Sequence, residues 1–341
     1  MHLLPVDLLS QQSQRLKICI VGAGAIGGFI GTRLALAGRG AVSALARGDT
    51  LQALRTQGWR LQTASGLQQA PAHAEDDPAA LGPQDLVVLT VKAPALSELA
   101  PRLAPLIGPQ TLVLPAMNGV PWWFCQGLPG WQGQPLRSVD PHGHIATALP
   151  LGQVLGCVVH ASAAMLQPGL VQHRMGQGLI VGECTGGHSA RAQAIVDVLA
   201  QAGFEATQSQ DIRRDIWFKL WGNMTMNPVS AITGATADLV LADPLVRAFN
   251  SAAMTEAAAI GALIGCPITQ TPEERHAVTA RLGAFKTSML QDVQAGRAIE
   301  LDALVGAVRE IAGCLQVPTP TIDALMGLTR LFARAKGLYP A

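Results

Sequence analysis

The chain has 341 residues, enough for two hydrophobic cores rather than one. Its net charge of +1 recommends neither nucleic acid nor an anionic membrane surface as a partner. Hydrophobic residues make up 49% and charged residues only 14%, and no charge occurs from Leu103 to Leu136, so a membrane span has to be considered. Pro105, Pro109, Pro115, Pro121, Pro129 and Pro135 interrupt that stretch, and irregular backbone is not tolerated against lipid, which predicts buried sheet and loop. Residues 1–16 lack the basic start and apolar core of a signal peptide and are predicted to form a loose extension. The six cysteines include no C-x-x-C pair and most sit in apolar runs, as expected of reduced thiols in a cytoplasm.

The first strong element opens at Lys17. Ile18 to Val21 form an apolar run that leads directly into Gly22-Ala23-Gly24-Ala25-Ile26-Gly27, and Ile26, Ile30, Leu34 and Ala37 then recur at helical spacing. This is the strand–turn–helix setting that a dinucleotide-binding G-x-G-x-x-G requires. Gly22 permits the tight turn, Gly24 lets backbone approach a pyrophosphate, and Gly27 lets helix pack on strand, with phosphate at the helix N-terminus. Residues 41–46 read as the second strand. It ends in Ala46-Arg47 and not in the acid that bonds an unmodified ribose. A guanidinium there suits a 2′-phosphate by charge and fork geometry, which favours NADP over NAD and disfavours FAD.

Asp85–Val91 and Thr111–Met117 are the next buried strands. Lys92 and Asn118 fall at their carboxyl ends, where open α/β sheets bind ligands; the plainer alternative is strand-end capping. Lys92 is a candidate for phosphate or carboxylate, and Asn118 for the nicotinamide side or the substrate. Val154–Met165 reads as strand, Gly169–Glu183 as hairpin-like β with Gly176 and Gly178 near its turn, and Ser189–Ala202 as helix. After residue 210 the pattern becomes Ala- and Leu-rich helix without a convincing strand. The predicted fold is therefore α/β: a Rossmann-type, doubly wound domain over 17–209, then an all-helical domain over 210–341.

The first helix of that second part carries Lys219, Asn223 and Asn227 at four-residue steps among Leu220, Trp221, Met224 and Met226. Each step advances about 400°, so the three polar groups form one slowly drifting stripe. One ammonium and two amides in a greasy helix suggest a pocket wall with a proton donor and two clamps. The plainer reading is a snorkelling lysine and locally bonded amides. Pro228 disfavours helical conformation at Asn227, so the helix is expected to bend or end there. Further on, Ser288 and Glu300 stand beside apolar positions. Ser288 could bond a ligand carboxylate or hydroxyl, and Glu300 could pair with Lys219 or anchor a substrate hydroxyl; on spacing alone both read as helix-surface or capping residues.

Taken together, GAGAIG, Lys92 after DLVVLTV, Asn118-Gly119, K-x-x-x-N-x-x-x-N, and S-M-L-Q-D followed by I-E-L-D resemble ketopantoate (2-dehydropantoate) reductases over about residues 17–330. The resemblance implies NADPH-dependent reduction of a 2-oxo acid, ketopantoate to pantoate in pantothenate biosynthesis. It implies Lys219 as general acid, Glu300 as its partner at the active site, and Asn223, Asn227 and Ser288 as substrate ligands. Asn118 would lie near the nicotinamide, with Lys92 and Arg47 toward the cofactor. Two departures bear on which 2-oxo acid is used. Ala237 stands where some members have a further substrate-binding Asn, and Trp122-Trp123 follow Asn118-Gly119, either narrowing the pocket or filling core. A homodimer is left open as an assembly.

Other two-domain oxidoreductases, such as β-hydroxyacid or opine dehydrogenases, share a Lys-and-Asn helix but are disfavoured by the Ser288/Glu300 pair. A non-enzymatic NADP sensor would not need Lys219. A metal hydrolase would have only His142-Gly-His144 to rest on, without a helical His pair and third ligand.

Overall fold

The structure is a computed structural model that describes residues 16–128, 131 and 135–340. The expected extension over 1–16 lies outside the described residues except for Leu16. Ten strands are described: β1 (Leu16–Val21), β2 (Gly40–Leu45), β3 (Trp59–Thr63), β4 (Gly66–Ala70), β5 (His73–Glu75), β6 (Gln84–Leu89), β7 (Ile107–Pro115), β8 (Leu155–Gln167), β9 (Leu170–Glu183) and β10 (Glu205–Gln208).

The chain divides into two units. The first takes the residues up to Met117 together with His144–Ile212, and the second takes Asn118–Gly143 together with the residues from Arg213 onward. The sequence reading put one boundary near 208–210 and kept 118–143 in the first domain. That segment is correctly placed with the second unit, because Trp123 and Phe124 are buried there and Phe124 stacks on Trp217 at 5.8 Å. Arg213 donates to the Phe124 carbonyl at 3.0 Å and lies over its ring.

In the first unit β1 pairs with β2 and β6, and the sheet runs β5-β2-β1-β6-β7 with every pairing parallel. The chain first builds outward from β1 through β2 to β5, then returns to the other side of β1. That reversal beside β1 is the switch point at which such sheets bind ligands. Ile18–Val21 and Leu86–Leu89 are buried throughout, as continuous apolar runs in a parallel sheet covered on both faces should be. The helix Ala25–Ala37 covers one face and buries Phe29, Ile30 and Leu34.

A second sheet runs β10-β9-β3-β4, with β8 pairing antiparallel to β9. The β3–β4 hairpin and β10 were not anticipated. Nor does Gly169–Glu183 turn at Gly176: it continues as the single strand β9, and the turn is at Pro168-Gly169. Gly176, at φ +69°, sits instead where the β8–β9 register shifts. The helix Ala25–Ala37 touches this sheet too. A Cβ on Gly28 would lie 2.5 Å from Val171 Cγ2, and one on Gly31 would lie 2.5 Å from the Trp59 ring. The glycines thus thin the helix to fit between its neighbours.

The second unit is helical among the described residues. Its helices are Ile212–Thr233, Ala237–Ala242, Pro244–Leu263, Pro272–Ala280, Ser288–Gln294, Ala307–Cys314 and Pro320–Ala335, with a π turn at Asp302–Gly306. The Trp221 indole donates to the Met254 carbonyl at 2.7 Å, which removes the cost of burying a polar atom in this core. Trp122 and Trp123 are almost wholly buried, so the structure assigns them to packing. Glu256 accepts the Thr321 and Ile322 amides at 2.9 and 3.0 Å and so caps the helix Pro320–Ala335. No helix among the described residues is long and apolar enough to cross a membrane.

Candidate active site

The first unit gathers its candidate cofactor groups at the carboxyl edge of the parallel sheet. Gly22 follows β1 with φ +92°, and a Cβ there would lie 2.6 Å from Val91 Cγ1. A Cβ on Gly27 would fall 2.1 Å from the Gly22 carbonyl oxygen and 2.4 Å from Thr90 Oγ1. Thr90, which the sequence reading did not single out, donates to the Gly22 oxygen at 2.6 Å and locks the turn to the end of β6. Gly24 differs from both: nothing lies within 4 Å of where its Cβ would be. It is also the N-cap of the helix Ala25–Ala37 and supplies no side-chain cap. That first turn therefore has no side-chain cap and has room beside Gly24, the arrangement a pyrophosphate requires. Ala23 is buried, and Ile26 packs partly against the core.

Arg47 follows β2 in extended conformation and starts the helix Gly48–Gln57. It is exposed, and its guanidinium has no ion pair or side-chain hydrogen bond among the described residues. Lys92 is half-buried and starts the helix Ala93–Leu99 after β6. These positions suit a dinucleotide: a glycine left open for close approach, a helix end without a cap, and a cation after β2.

In the second unit the helix Ile212–Thr233 carries the polar stripe. Lys219 and Asn223 are half-buried and Asn227 is buried. Of the two outcomes expected at Pro228, a bend or an end, the helix does not end there. It continues to Thr233 with Pro228 inside it, losing one backbone hydrogen bond, while the flanking Asn227, Val229 and Ser230 are all buried. Lys219 Nζ donates to Asn118 Oδ1 at 2.8 Å. Asn118 had been grouped with the cofactor residues of the first domain; the structure brings it to the lysine in the second unit. Asn227 Nδ2 lies 3.5 Å from Ser288 Oγ, at the limit of a hydrogen bond, and Ser288 is exposed at the start of the helix Ser288–Gln294. The Asn223 side chain has no hydrogen bond among the described residues.

Glu300 is half-buried just before the π turn Asp302–Gly306. The turn reaches the Asn118 segment through its backbone, because Val120 N–H donates to the Ala303 carbonyl at 2.8 Å. Gly119, at φ +85°, fits only because it has no side chain: a Cβ would lie 2.6 Å from the Ala303 oxygen. Asp302, the last residue of I-E-L-D, accepts from Tyr339 at 2.6 Å, a pairing that carries no signal in the local sequence. Ala237 is fully buried and brings no polar group. No cluster of three or more metal-ligating side chains occurs among the described residues.

A parallel sheet with a dinucleotide turn at its switch point, followed by a helical unit carrying a paired lysine and amide, defines a two-part dinucleotide-dependent oxidoreductase. Comparison with known proteins narrows this. The family model described as "Ketopantoate reductase PanE/ApbA" matches residues 18–186, and "Ketopantoate reductase PanE/ApbA C terminal" matches residues 211–333. A curated 2-dehydropantoate 2-reductase of Mesorhizobium japonicum is 41% identical over 325 residues, covering 95% of this chain and 100% of the relative. Among solved structures, a protein of Ralstonia solanacearum classed as a ketopantoate reductase matches at 57% identity and a TM-score of 0.92, covering 96% of this chain and 100% of that one. A PanE/ApbA family ketopantoate reductase from Ralstonia eutropha matches at 26% identity and a TM-score of 0.80, covering 94% and 100%. The chain belongs to the ketopantoate reductase family, whose members are oxidoreductases acting on a CH–OH group. Family and turn geometry together point to a nicotinamide cofactor.

Proposed function

We propose that this protein reduces 2-dehydropantoate to pantoate with NADPH, the step that serves pantothenate biosynthesis, in a cytoplasmic setting. The observation that carries the reading is the Lys219–Asn118 hydrogen bond, which holds an ammonium in place beside the buried Leu220, Trp221 and Met224 of its helix. The name of the Mesorhizobium japonicum relative supports the choice of substrate.

When bound, NADPH would supply the hydride for the ketone carbon. Negative charge then develops on the ketone oxygen, and Lys219 stabilises it by hydrogen bonding and transfers a proton to give the alcohol. Asn118 orients the ammonium. Glu300 is the acidic partner of the site, and Asn223, Asn227 and Ser288 hold the substrate's hydroxyl and carboxylate in attack geometry. On the cofactor side, residues 22–27 would hold the pyrophosphate, Arg47 would pair with the 2′-phosphate and Lys92 would offer a second cation.

Oxidation of NADPH followed at 340 nm, with 2-dehydropantoate and a panel of other 2-oxo and β-hydroxy acids, tests the reading. The highest kcat/KM is expected for 2-dehydropantoate. A clear preference for another acid would transfer the chemistry to that substrate, the case for which Ala237 leaves room. No turnover with any of them would leave a dinucleotide-binding protein without this activity.

A further inference from the structure

Glu300 lies between two hydrogen bonds made by residues that follow the helix Pro320–Ala335. On one side, Ile299 N–H donates to the Leu338 carbonyl at 3.1 Å. On the other, Tyr339 Oη donates to Asp302 Oδ1 at 2.6 Å. One residue further, the Ala303 carbonyl accepts the Val120 amide, and Gly119 is pressed against the same carbonyl. Asn118 comes next and accepts from Lys219. A short path of main chain and hydrogen bonds therefore links Tyr339 to the candidate general acid.

The segment needs such support. Residues 302–306 form a π turn, a geometry rare in proteins and often found at functional sites. The support is itself anchored: Leu338 is buried, the Arg334 guanidinium lies 5.7 Å from the Tyr339 ring centroid, and Arg334 Nε donates to the Pro340 carbonyl at 2.8 Å. Burial, then the hydrogen bond to Asp302 and its charge, push the Tyr339 phenol up, so it remains a donor at neutral pH.

We propose that Tyr339 and Asp302 are positioning residues whose hydrogen bond fixes the 299–303 segment, and with it Glu300 and the Asn118–Lys219 pair. This rests on the reductase reading above. Its test uses the full chain with Tyr339→Phe, which removes the donor, Asp302→Ala, which removes the acceptor, and Asp302→Asn, which keeps an acceptor oxygen. Steady-state kinetics with NADPH and 2-dehydropantoate are read beside amide hydrogen exchange at Ile299 and Val120. Tyr339→Phe and Asp302→Ala should each lower kcat by about ten-fold, the scale of a small misplacement of catalytic groups, and quicken exchange at both amides. Asp302→Asn should restore most of both. Wild-type kcat in the two disabling variants would overturn the proposal, as would unchanged exchange. If the wild-type protein turns over no 2-oxo acid, the reductase reading fails on its own, and the exchange comparison still decides whether Tyr339 holds the Val120 amide.

Discussion

Lys219 donates to Asn118 Oδ1 at 2.8 Å, joining two residues 101 positions apart in the chain. With its oxygen committed to the ammonium, the Asn118 amide keeps its Nδ2 to donate to a ligand. The lysine in turn loses much of the freedom that makes an exposed ammonium a poor catalyst.

Lys219→Ala should cut kcat by about 10²–10⁴, the range for losing a positioned acid, while leaving NADPH binding intact. Asn118→Ala should cost less, and the double variant little more than Lys219→Ala alone, because the amide acts partly through the lysine. Kinetics of the three variants beside wild type give the cycle. A loss confined to KM in Lys219→Ala would make the lysine a carboxylate clamp.

The glycines of the phosphate turn should separate by function. Gly27→Ala forces a methyl into the Gly22 carbonyl and Thr90, so about 1–3 kcal/mol of stability should be lost along with cofactor binding. Gly24→Ala meets nothing within 4 Å and should keep its melting temperature while binding dinucleotide more weakly. Thermal unfolding and fluorescence titration with NADPH read the two effects. Equal destabilisation by both changes would defeat the distinction.

The dinucleotide turn was legible because its chemistry is local: an apolar run, three glycines and a helical repeat lie within one short stretch. The polar stripe was legible for the same reason, since helical spacing alone aligns Lys219 with Asn223. What the sequence concealed was long-range. Residues 118–143 look like a continuation of the sheet pattern, and only packing against Trp217 and Arg213 assigns them to the helical unit. Pro228 argued locally for a helix end, but a buried helix outweighs one lost hydrogen bond. Gly176 looked like a turn, whereas the turn belongs to Pro168-Gly169 and Gly176 answers to the register of β8.

Arg47→Ala should erode a preference for NADPH over NADH, mainly through KM, because the proposed function pairs the guanidinium after β2 with a 2′-phosphate. Initial rates with both cofactors, before and after mutation, decide it. A wild-type protein equally efficient with NADH would remove Arg47 from that role.

Glu183, at the end of β9, is paired with Arg191 and accepts from Ser189. Burial works against its charge, but hydrogen bonds from Arg191 and Ser189 and the charge of Arg191 outweigh it, holding the carboxyl below its ordinary 4.5. A depressed folded value means stabilisation that is complete above the unfolded value and lost as pH falls through the folded one. Arg191→Met leaves burial dominant and inverts the sign, so the variant's carboxylate destabilises at neutral pH and recovers on protonation. The variant should be about 1–3 kcal/mol less stable at neutral pH, with the gap to wild type narrowing toward about pH 4. Urea unfolding across that range measures it, and a gap independent of pH would contradict the account.

Asn227 and Ser288 make the sharpest test of the substrate side. Asn227 is 5% exposed in a helix that continues through Pro228, and its Nδ2 lies only at the limit of bonding to Ser288 Oγ. A buried amide so loosely satisfied is poised to take a stronger acceptor, and a substrate carboxylate or hydroxyl is one. Asn227→Ala and Ser288→Ala should each cost about 1–3 kcal/mol in kcat/KM for the 2-oxo acid, because each leaves a substrate group unpaired. NADPH affinity should hold in both, since Asn227 and Ser288 belong to the helical unit and the dinucleotide turn to the other. The two losses should not add in the double variant if both residues grip one substrate group. Unchanged kcat/KM in Asn227→Ala would return that amide to packing and leave Lys219, Asn118 and Asn223 to carry the site.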